Sequence, residues 1–139
     1  MKFLMKVLVI FNSITVMADT PKELADLSSL QWANRIVIVN QLVDVEVSVE
    51  LFENTIVEVD DRNIIWFVFH GDRTATNYSG VLAKNLLAIV RDRYDIEREQ
   101  VVLIGKDGGV KARYHQLQLD DIFSDIDAMP MRQYEMQNP

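Results

Sequence analysis

Four segments of the chain carry hydrophobic patterns that predict β-strands. Residues 35–39 and 63–69 are nearly unbroken apolar runs, as expected of strands that are covered on both faces. Residues 100–105 form a third strand of the same kind. Residues 110–114 follow a pair of glycines and predict a fourth strand.

The stretch between the first two strands fits two patterns. From Val43 to Leu51, apolar and polar residues alternate, which is typical of a strand. Spacings of three and four, typical of a helix, connect a longer set of apolar residues: Leu42, Val45, Val49, Phe52, Ile56 and Val59. We therefore predict a helix within residues 41–59, although the many valines have poor helix propensity and a strand remains the alternative.

Two further helices are predicted closer to the C-terminus. The first covers residues 80–95, with Ser79 or Asn77 as its N-cap. The second covers residues 119–128 and has one apolar face. Pro130 is expected to end it, because the residue before a proline is disfavoured in the helical conformation.

The sequence "GKDGGVKAR" at residues 105–113 raises the question of whether its glycines bind a phosphate. A phosphate-binding loop needs glycines that open a helix, whereas these glycines lead into a strand. We interpret Asp107, Gly108 and Gly109 as a structural turn, a two-residue hairpin with positive φ at the first two of them. Lys111 and Arg113 share one face of the next strand, where they either receive an anion or protect an edge strand from aggregation.

These elements predict an α/β fold in the order β-α-β-α-β-β-α. Strands joined through a helix run parallel, and the closing hairpin is antiparallel. The result is a four-stranded mixed sheet with helices on both faces, which is the thioredoxin-like arrangement.

Composition and charge limit the class of protein. The chain has 139 residues, 49% of them hydrophobic, which is enough to bury a core in a single domain. The net charge is −7, so we expect no binding to nucleic acid and no electrostatic attraction to anionic lipid. The two histidines, His70 and His115, lack further metal ligands at a recognisable spacing, and we predict neither a metal nor a cofactor.

The N-terminus resembles an export signal. Two lysines precede an apolar stretch, and Val16 and Ala18 suit cleavage before Asp19. The apolar stretch is too short to span a bilayer, so we expect no stable membrane span after processing. The predicted organisation is a signal peptide (1–18), a polar segment (19–31), the thioredoxin-like domain (32–130) and a polar tail (131–139).

Three blocks of sequence resemble a bacterial family of unknown function: "WANRIVIV" at 32–39, "LIGKDGGVKAR" at 103–113 and "IDAMPMRQYEM" at 126–136. That family is similar to the domain found in the extracellular sushi-repeat and coiled-coil-domain matrix proteins. The resemblance implies a thioredoxin-like or peroxiredoxin-like fold and an exported location. It implies no established activity.

The absence of cysteine excludes the usual chemistry of this fold. A thiolate is the nucleophile in disulfide exchange and peroxide reduction, and neither Asn40 nor Gln41, which follow the first strand, can replace it. The chain also has Arg98 and Glu99 before the third strand, where thioredoxins carry a cis-proline. Thiol-disulfide oxidoreductase and peroxidase activities are therefore excluded.

Topology indicates where a ligand or partner would bind. In open α/β sheets the binding crevice lies beyond the carboxyl ends of the parallel strands. Here that crevice would gather Asn40, Gln41, His70, Asp72 and Arg73.

The sequence thus predicts an exported, redox-inactive module that binds an unknown protein or small molecule in the bacterial envelope. The alternative is an enzyme that uses the same crevice for cysteine-independent chemistry, with His70 or Asp72 as acid or base.

Overall fold

The computed structural model describes residues 23–42 and 44–139. Within them, one mixed sheet has the strand order β3-β2-β1-β4-β5. The strands are β1 (Arg35–Asn40), β2 (Ile64–His70), β3 (Arg73–Thr76), β4 (Gln100–Ile104) and β5 (Val110–Tyr114). β1 and β2 are parallel, and the other neighbouring pairs are antiparallel. The predicted signal peptide lies outside the described residues.

The sheet has five strands, so the prediction of four is wrong. The four predicted strands are present with bounds that differ by at most one residue. The additional strand, β3, arises from a stretch that reads as a polar loop, and its first residues, Arg73 and Thr74, are exposed. β3 is a short edge strand folded back onto β2 by a turn at Gly71, whose φ is +59°. The sequence of β3 therefore contains no apolar run from which a strand could be predicted.

The helical interpretation of residues 41–59 is confirmed, but the helix is divided into α1 (Val45–Glu53) and α2 (Ile56–Asp61). Asp44 caps α1, because its carboxylate accepts a hydrogen bond of 3.1 Å from the amide of Val47. The Thr55 hydroxyl donates to the carbonyl of Leu51 at the break between the two helices, and so satisfies a carbonyl that the helix leaves free.

Helix α3 (Leu86–Tyr94) is shorter than predicted, because residues 81–83 pair with the N-terminal segment instead. The amide of Leu24 donates to the carbonyl of Val81 at 2.8 Å, and the amide of Ala83 donates to the carbonyl of Leu24 at 3.0 Å. A single turn of 3-10 helix, Ser28–Leu30, follows in that segment. Tertiary pairing thus overrides the local helical pattern.

The C-terminal region contains two helices, α4 (Leu119–Asp127) and α5 (Pro130–Gln137). Pro130 lies in the first turn of α5, where its missing amide hydrogen costs nothing. The proline therefore separates two helices, and most of the stretch interpreted as a polar tail is helical. Its Arg132 is buried.

The core has two layers, one on each face of the sheet. Helices α1, α2 and α4 cover one face, where Phe52 stacks on Trp66 with ring centroids 4.7 Å apart. Helix α3 and the segment around Leu24 cover the other face. Both faces of β1 are buried, as its continuous apolar pattern predicts. No helix in the described part of the chain is long and apolar enough to cross a bilayer.

Asn77 extends the ladder between β2 and β3 with its side chain. Its Oδ1 accepts from the amide of Trp66 at 2.8 Å, and its Nδ2 donates to the carbonyl of Ile64 at 3.0 Å. The carboxamide therefore takes the place of a peptide group beyond the end of β3. It satisfies two backbone groups at the edge of the sheet.

Replacing Asn77 with Ala should lower the free energy of unfolding by about 2 kcal/mol, because it leaves the backbone groups of Trp66 and Ile64 unpaired. Urea denaturation measures the change. Asn85→Ala is the matched control, since the Asn85 side chain makes no capping hydrogen bond at the start of α3, and it should change stability by less than about 0.5 kcal/mol. Equal effects of the two substitutions would contradict this role.

Candidate functional site

The structure places the predicted crevice residues on different surfaces. Asn40 is fully buried, and its Nδ2 donates to the carbonyl of Glu97 at 2.9 Å. Side chains alternate along a strand, so Asn40 faces the α3 layer with Ile38, whereas His70 faces the α1 layer with Val68. Asn40 and His70 therefore leave opposite faces of the sheet.

The other three predicted residues lie closer to solvent. The Oε1 of Gln41 accepts a hydrogen bond of 3.3 Å from the amide of Gly71, so Gln41 does meet the turn after β2. Asp72 is exposed. Arg73 lies 3.5 Å from the carboxylate of Glu46, and both side chains are largely exposed.

At the opposite end of the sheet, the glycine-rich stretch forms the connection between β4 and β5. The amide of Gly108 donates to the carbonyl of Gly105 at 3.0 Å, and Asp107 accepts from the amide of Gly109 at 3.0 Å. Of Asp107, Gly108 and Gly109, only Gly108 has a positive φ, +83°, so the predicted two-residue hairpin is wrong in detail. The loop is longer because the register shifts between Leu103 and Ile104.

The two basic residues of β5 have different partners. Arg113 donates to the carbonyls of Tyr94 and Asp95 at the end of α3, where a cation is favoured by the helix dipole. Lys111 donates to the carboxylate of Asp107 at 2.7 Å. The Lys111 side chain passes close to Gly105, so that a Cβ at position 105 would lie 2.5 Å from the Lys111 Cε and the lysine side chain would have to move aside.

A network of buried ion pairs joins this loop to α5. Arg35, at the start of β1, is only 1% exposed and binds both carboxylate oxygens of Glu135 at 3.0 and 3.2 Å. Lys106 donates to the same carboxylate at 2.6 Å. Glu135 thus receives two cations from elements that are distant in sequence.

A second part of the network fixes the connection between α4 and α5. Arg132 donates to Asp127 at 3.1 Å and to Asp61 at 2.5 Å. Arg62 donates to Asp127 as well, at 2.7 Å, and stacks over the ring of Phe123. The C-terminal ends of α2 and α4 and the first turn of α5 are thereby held together.

The ion pairs shift the titration of their carboxyl groups. Partial burial acts to raise the pKa of Glu135, but hydrogen bonds from Arg35 and Lys106 outweigh it and hold the pKa below its ordinary value. The hydrogen bond from Arg62 lowers the pKa of Asp127, and the hydrogen bond from Lys111 lowers that of Asp107. Each of these carboxyl groups therefore keeps its negative charge to a lower pH than it would without these hydrogen bonds.

A cleft of about 410 Å³ lies beside this network, between the β4–β5 loop and the start of α5. We call it the basic cleft; it is lined by Arg35, Gly105, Lys106, Asp107, Lys111, Met129, Pro130 and Met131. Three cationic side chains and the two methionines give it a charged wall and an apolar wall. It could hold a molecule with an anionic group and an apolar body.

The sequence offered only a partial signal for this cleft. The three blocks that carry the family resemblance each supply part of its lining, but periodicity gave no reason to bring them together. Lys111 is predicted from the sequence as a residue that either receives an anion or protects an edge strand, whereas Arg35 and Glu135 are not among the candidate residues. An arginine within an otherwise apolar strand was the one available sign of a buried ion pair.

Within residues 23–42 and 44–139, no three His, Asp or Glu side chains come close enough to hold a metal ion. Residues 26–135 match the model of a family described as a domain of unknown function (DUF4174). No curated protein and no solved structure matches the chain significantly. The comparisons show no link to the sushi-repeat or coiled-coil-domain matrix proteins.

Replacing Glu135 with Gln leaves Arg35 buried without its counter-ion, and we expect the free energy of unfolding to fall by about 3 kcal/mol. Urea denaturation at neutral pH measures the loss. Glu58→Gln is the matched control, because Glu58 is exposed and its carboxylate makes no hydrogen bond in the described residues. A loss no larger than that of the control would contradict the proposed importance of the pair.

The pH dependence of stability provides a second measure of the same pair. The pKa of Glu135 in the folded protein is below its ordinary value of 4.5, so its stabilising effect is complete above pH 4.5 and is lost as the pH falls through the lower, folded value. The wild type should therefore lose stability over this acidic range more steeply than the Gln variant. Parallel curves for the two proteins would contradict the assignment.

Proposed function

The chain belongs to the family described as a domain of unknown function (DUF4174), and we propose that it is a non-catalytic binding domain whose ligand occupies the basic cleft. The ligand is a small molecule that carries a carboxylate or a similar anionic group on an apolar body. The observation that carries this proposal is the convergence of three separate sequence blocks on one cleft: Arg35 comes from the first, Lys111 from the second and Met131 from the third.

Lys111 is the cation that a ligand can engage. Its side chain is 35% exposed, and its partner Asp107 is 42% exposed, so their ion pair contributes little to stability. An incoming anion can replace Asp107 at small cost. Arg35 and Lys106 are bound to Glu135 and stay in place, where they add positive potential at the base of the cleft.

The apolar wall suits the other part of such a ligand. Met129 and Met131 flank Pro130, and methionine side chains are flexible and polarisable, so they adapt to apolar groups of varied shape. The volume of about 410 Å³ falls in the range of pockets that hold small organic molecules.

We further propose that the scaffold is thioredoxin-like. The support is the order β2-β1-β4-β5, in which β1 and β2 are parallel and β4 is antiparallel to both of its neighbours, with helices on both faces. The additional strand β3 then lies at the edge of this set. Because the chain contains no cysteine, the scaffold would serve binding and not thiol chemistry.

An exported location is the remaining part of the proposal, and it rests on the sequence pattern of residues 1–18. We expect the protein purified from a bacterial envelope fraction to begin at Asp19. N-terminal sequencing and intact mass on the same sample test this. A chain that retains Met1 and fractionates with the cytosol would contradict it.

The cleft is tested with octanoate as the probe and with uncharged octanamide as its matched control. We expect octanoate to shift the amide NMR signals of Gly105, Gly109 and Lys111, and octanamide to bind at least tenfold more weakly. Loss of a hydrogen bond to a charged group costs about 1.5–3 kcal/mol, so Lys111→Met should weaken octanoate binding at least about tenfold.

Lys84→Met is the control variant, because it removes an exposed lysine that does not line the cleft. It should leave the dissociation constant of octanoate unchanged. Equal binding of octanoate and octanamide, or an equal loss in both lysine variants, would overturn the anionic specificity of the cleft.

A further inference from the structure

A second cavity, larger than the basic cleft, lies away from it, between α2 and the edge of the sheet. It has a volume of about 580 Å³ and opens to solvent. We call it the acidic groove; its lining includes Phe52, Trp66, Ile56, Glu53, Asp60 and Asn77. The proposed function does not use it.

The groove exists because β3 is too short to cover β2. β3 pairs with β2 from Phe67 to His70, so the segment 64–66 has no neighbouring strand on that side. The carboxamide of Asn77 satisfies the backbone there but fills little space. The aromatic pair of Phe52 and Trp66 forms the apolar floor beneath this opening.

Apolar side chains on α2 continue the groove onto the surface. Ile56 lines it and is 59% exposed, and the neighbouring Val57 is 73% exposed. Two large aliphatic residues at this exposure, next to an apolar floor, provide a surface that a partner can cover.

The charge around the groove is strongly negative. Residues 44–61 contain seven acidic residues and no lysine or arginine, so their formal charge of −7 equals the net charge of the whole chain. Among the described contacts, four of these carboxylates have no hydrogen bond or ion pair: Glu50, Glu53, Glu58 and Asp60. Glu53 and Asp60 lie on the rim of the groove itself.

We propose that the acidic groove binds a basic peptide segment of a partner protein. One apolar side chain of that segment inserts over Phe52 and Trp66, and lysine or arginine residues on either side face Glu53 and Asp60. The carboxylates on the rim favour a partner segment with positive charge, and the apolar floor favours a segment with an apolar side chain that can be buried there. An extended segment fits better than a compact ligand, because the apolar surface continues from the groove along α2.

The test uses the peptide Ac-KLFKK-NH2 as its probe, with Ac-ELFEE-NH2 and Ac-KSSKK-NH2 as controls for charge and for the apolar anchor. We expect only the first peptide to shift the indole NMR signal of Trp66, and its affinity should fall as salt is added. Equal binding of the acidic peptide, equal binding of the peptide without the anchor, or no shift at millimolar concentrations of the first would overturn the proposal.

Variants of the protein then locate the site. Ile56→Ser should weaken binding of Ac-KLFKK-NH2 at least tenfold, and the double variant Glu53→Gln, Asp60→Asn at least fivefold. Because all three side chains are exposed, these proteins should fold normally, and an unchanged midpoint of thermal unfolding confirms it. Glu97→Gln, an exposed carboxylate on the other face, should bind as the wild type does.

This inference is independent of the basic cleft. Lys111→Met, which should lose octanoate, should retain the basic peptide with unchanged affinity. If Lys111→Met lost the basic peptide, the peptide would bind elsewhere and the assignment would be overturned. The same holds if Ile56→Ser bound the peptide as tightly as the wild type does.

Discussion

The ion pair between Arg35 and Glu135 determines how the C-terminal part of the chain meets the sheet. Arg35 begins the central strand β1 and is almost completely buried, so its guanidinium needs a partner that binds it in more than one place. Glu135 provides this with two oxygens, and the carbonyl of Arg62 accepts from the same guanidinium at 3.1 Å. Since Glu135 lies on α5, the ion pair fixes that helix beside the start of β1.

The position of α5 in turn creates the basic cleft. Pro130 starts the helix, so the residues beside it, Met129 and Met131, are held against the β4–β5 loop. Lys106 shares Glu135 with Arg35, which connects the loop to the same anchor. One carboxylate therefore positions both walls of the cleft, and the cations that bind it remain near its base.

Charge is distributed unevenly in the described structure, and this separates the two proposed surfaces. Around the basic cleft, nearly every cation has a carboxylate partner, and the local charge is close to balanced. Around the acidic groove, several carboxylates have none. A partner that approaches this protein therefore meets one surface whose charges are nearly balanced and one surface that is negative, and the surplus of negative charge along α1 and α2 would guide a basic segment to the groove.

Periodicity predicted the elements whose burial is continuous and missed those that depend on distant partners. β1, β2 and β4 are covered on both faces or nearly so, and their apolar runs reveal them. β3 has no such run, and the start of α3 is displaced by pairing with Leu24, which no local pattern signals. Arg35 and Glu135 are a hundred positions apart, and a charged residue has the same appearance in a sequence whether it is solvated or buried in a pair.

The mixed direction of the sheet explains why topology alone selected a different site. In a parallel sheet the carboxyl ends of all strands lie at the same end of the sheet, and the crevice rule therefore led to the residues after β1 and β2. In this sheet β4 is antiparallel to β1, so the loop after β4 lies at the opposite end of the sheet, beside the start of β1. Carboxyl ends of strands thus occur at both ends of the sheet. At the first end, the side chains of Asn40 and His70 leave opposite faces of the sheet, whereas at the second end Arg35, Lys106 and Lys111 meet in the basic cleft. In a mixed sheet the rule therefore gives two candidate ends for a binding site, and the side chains found at each end decide between them.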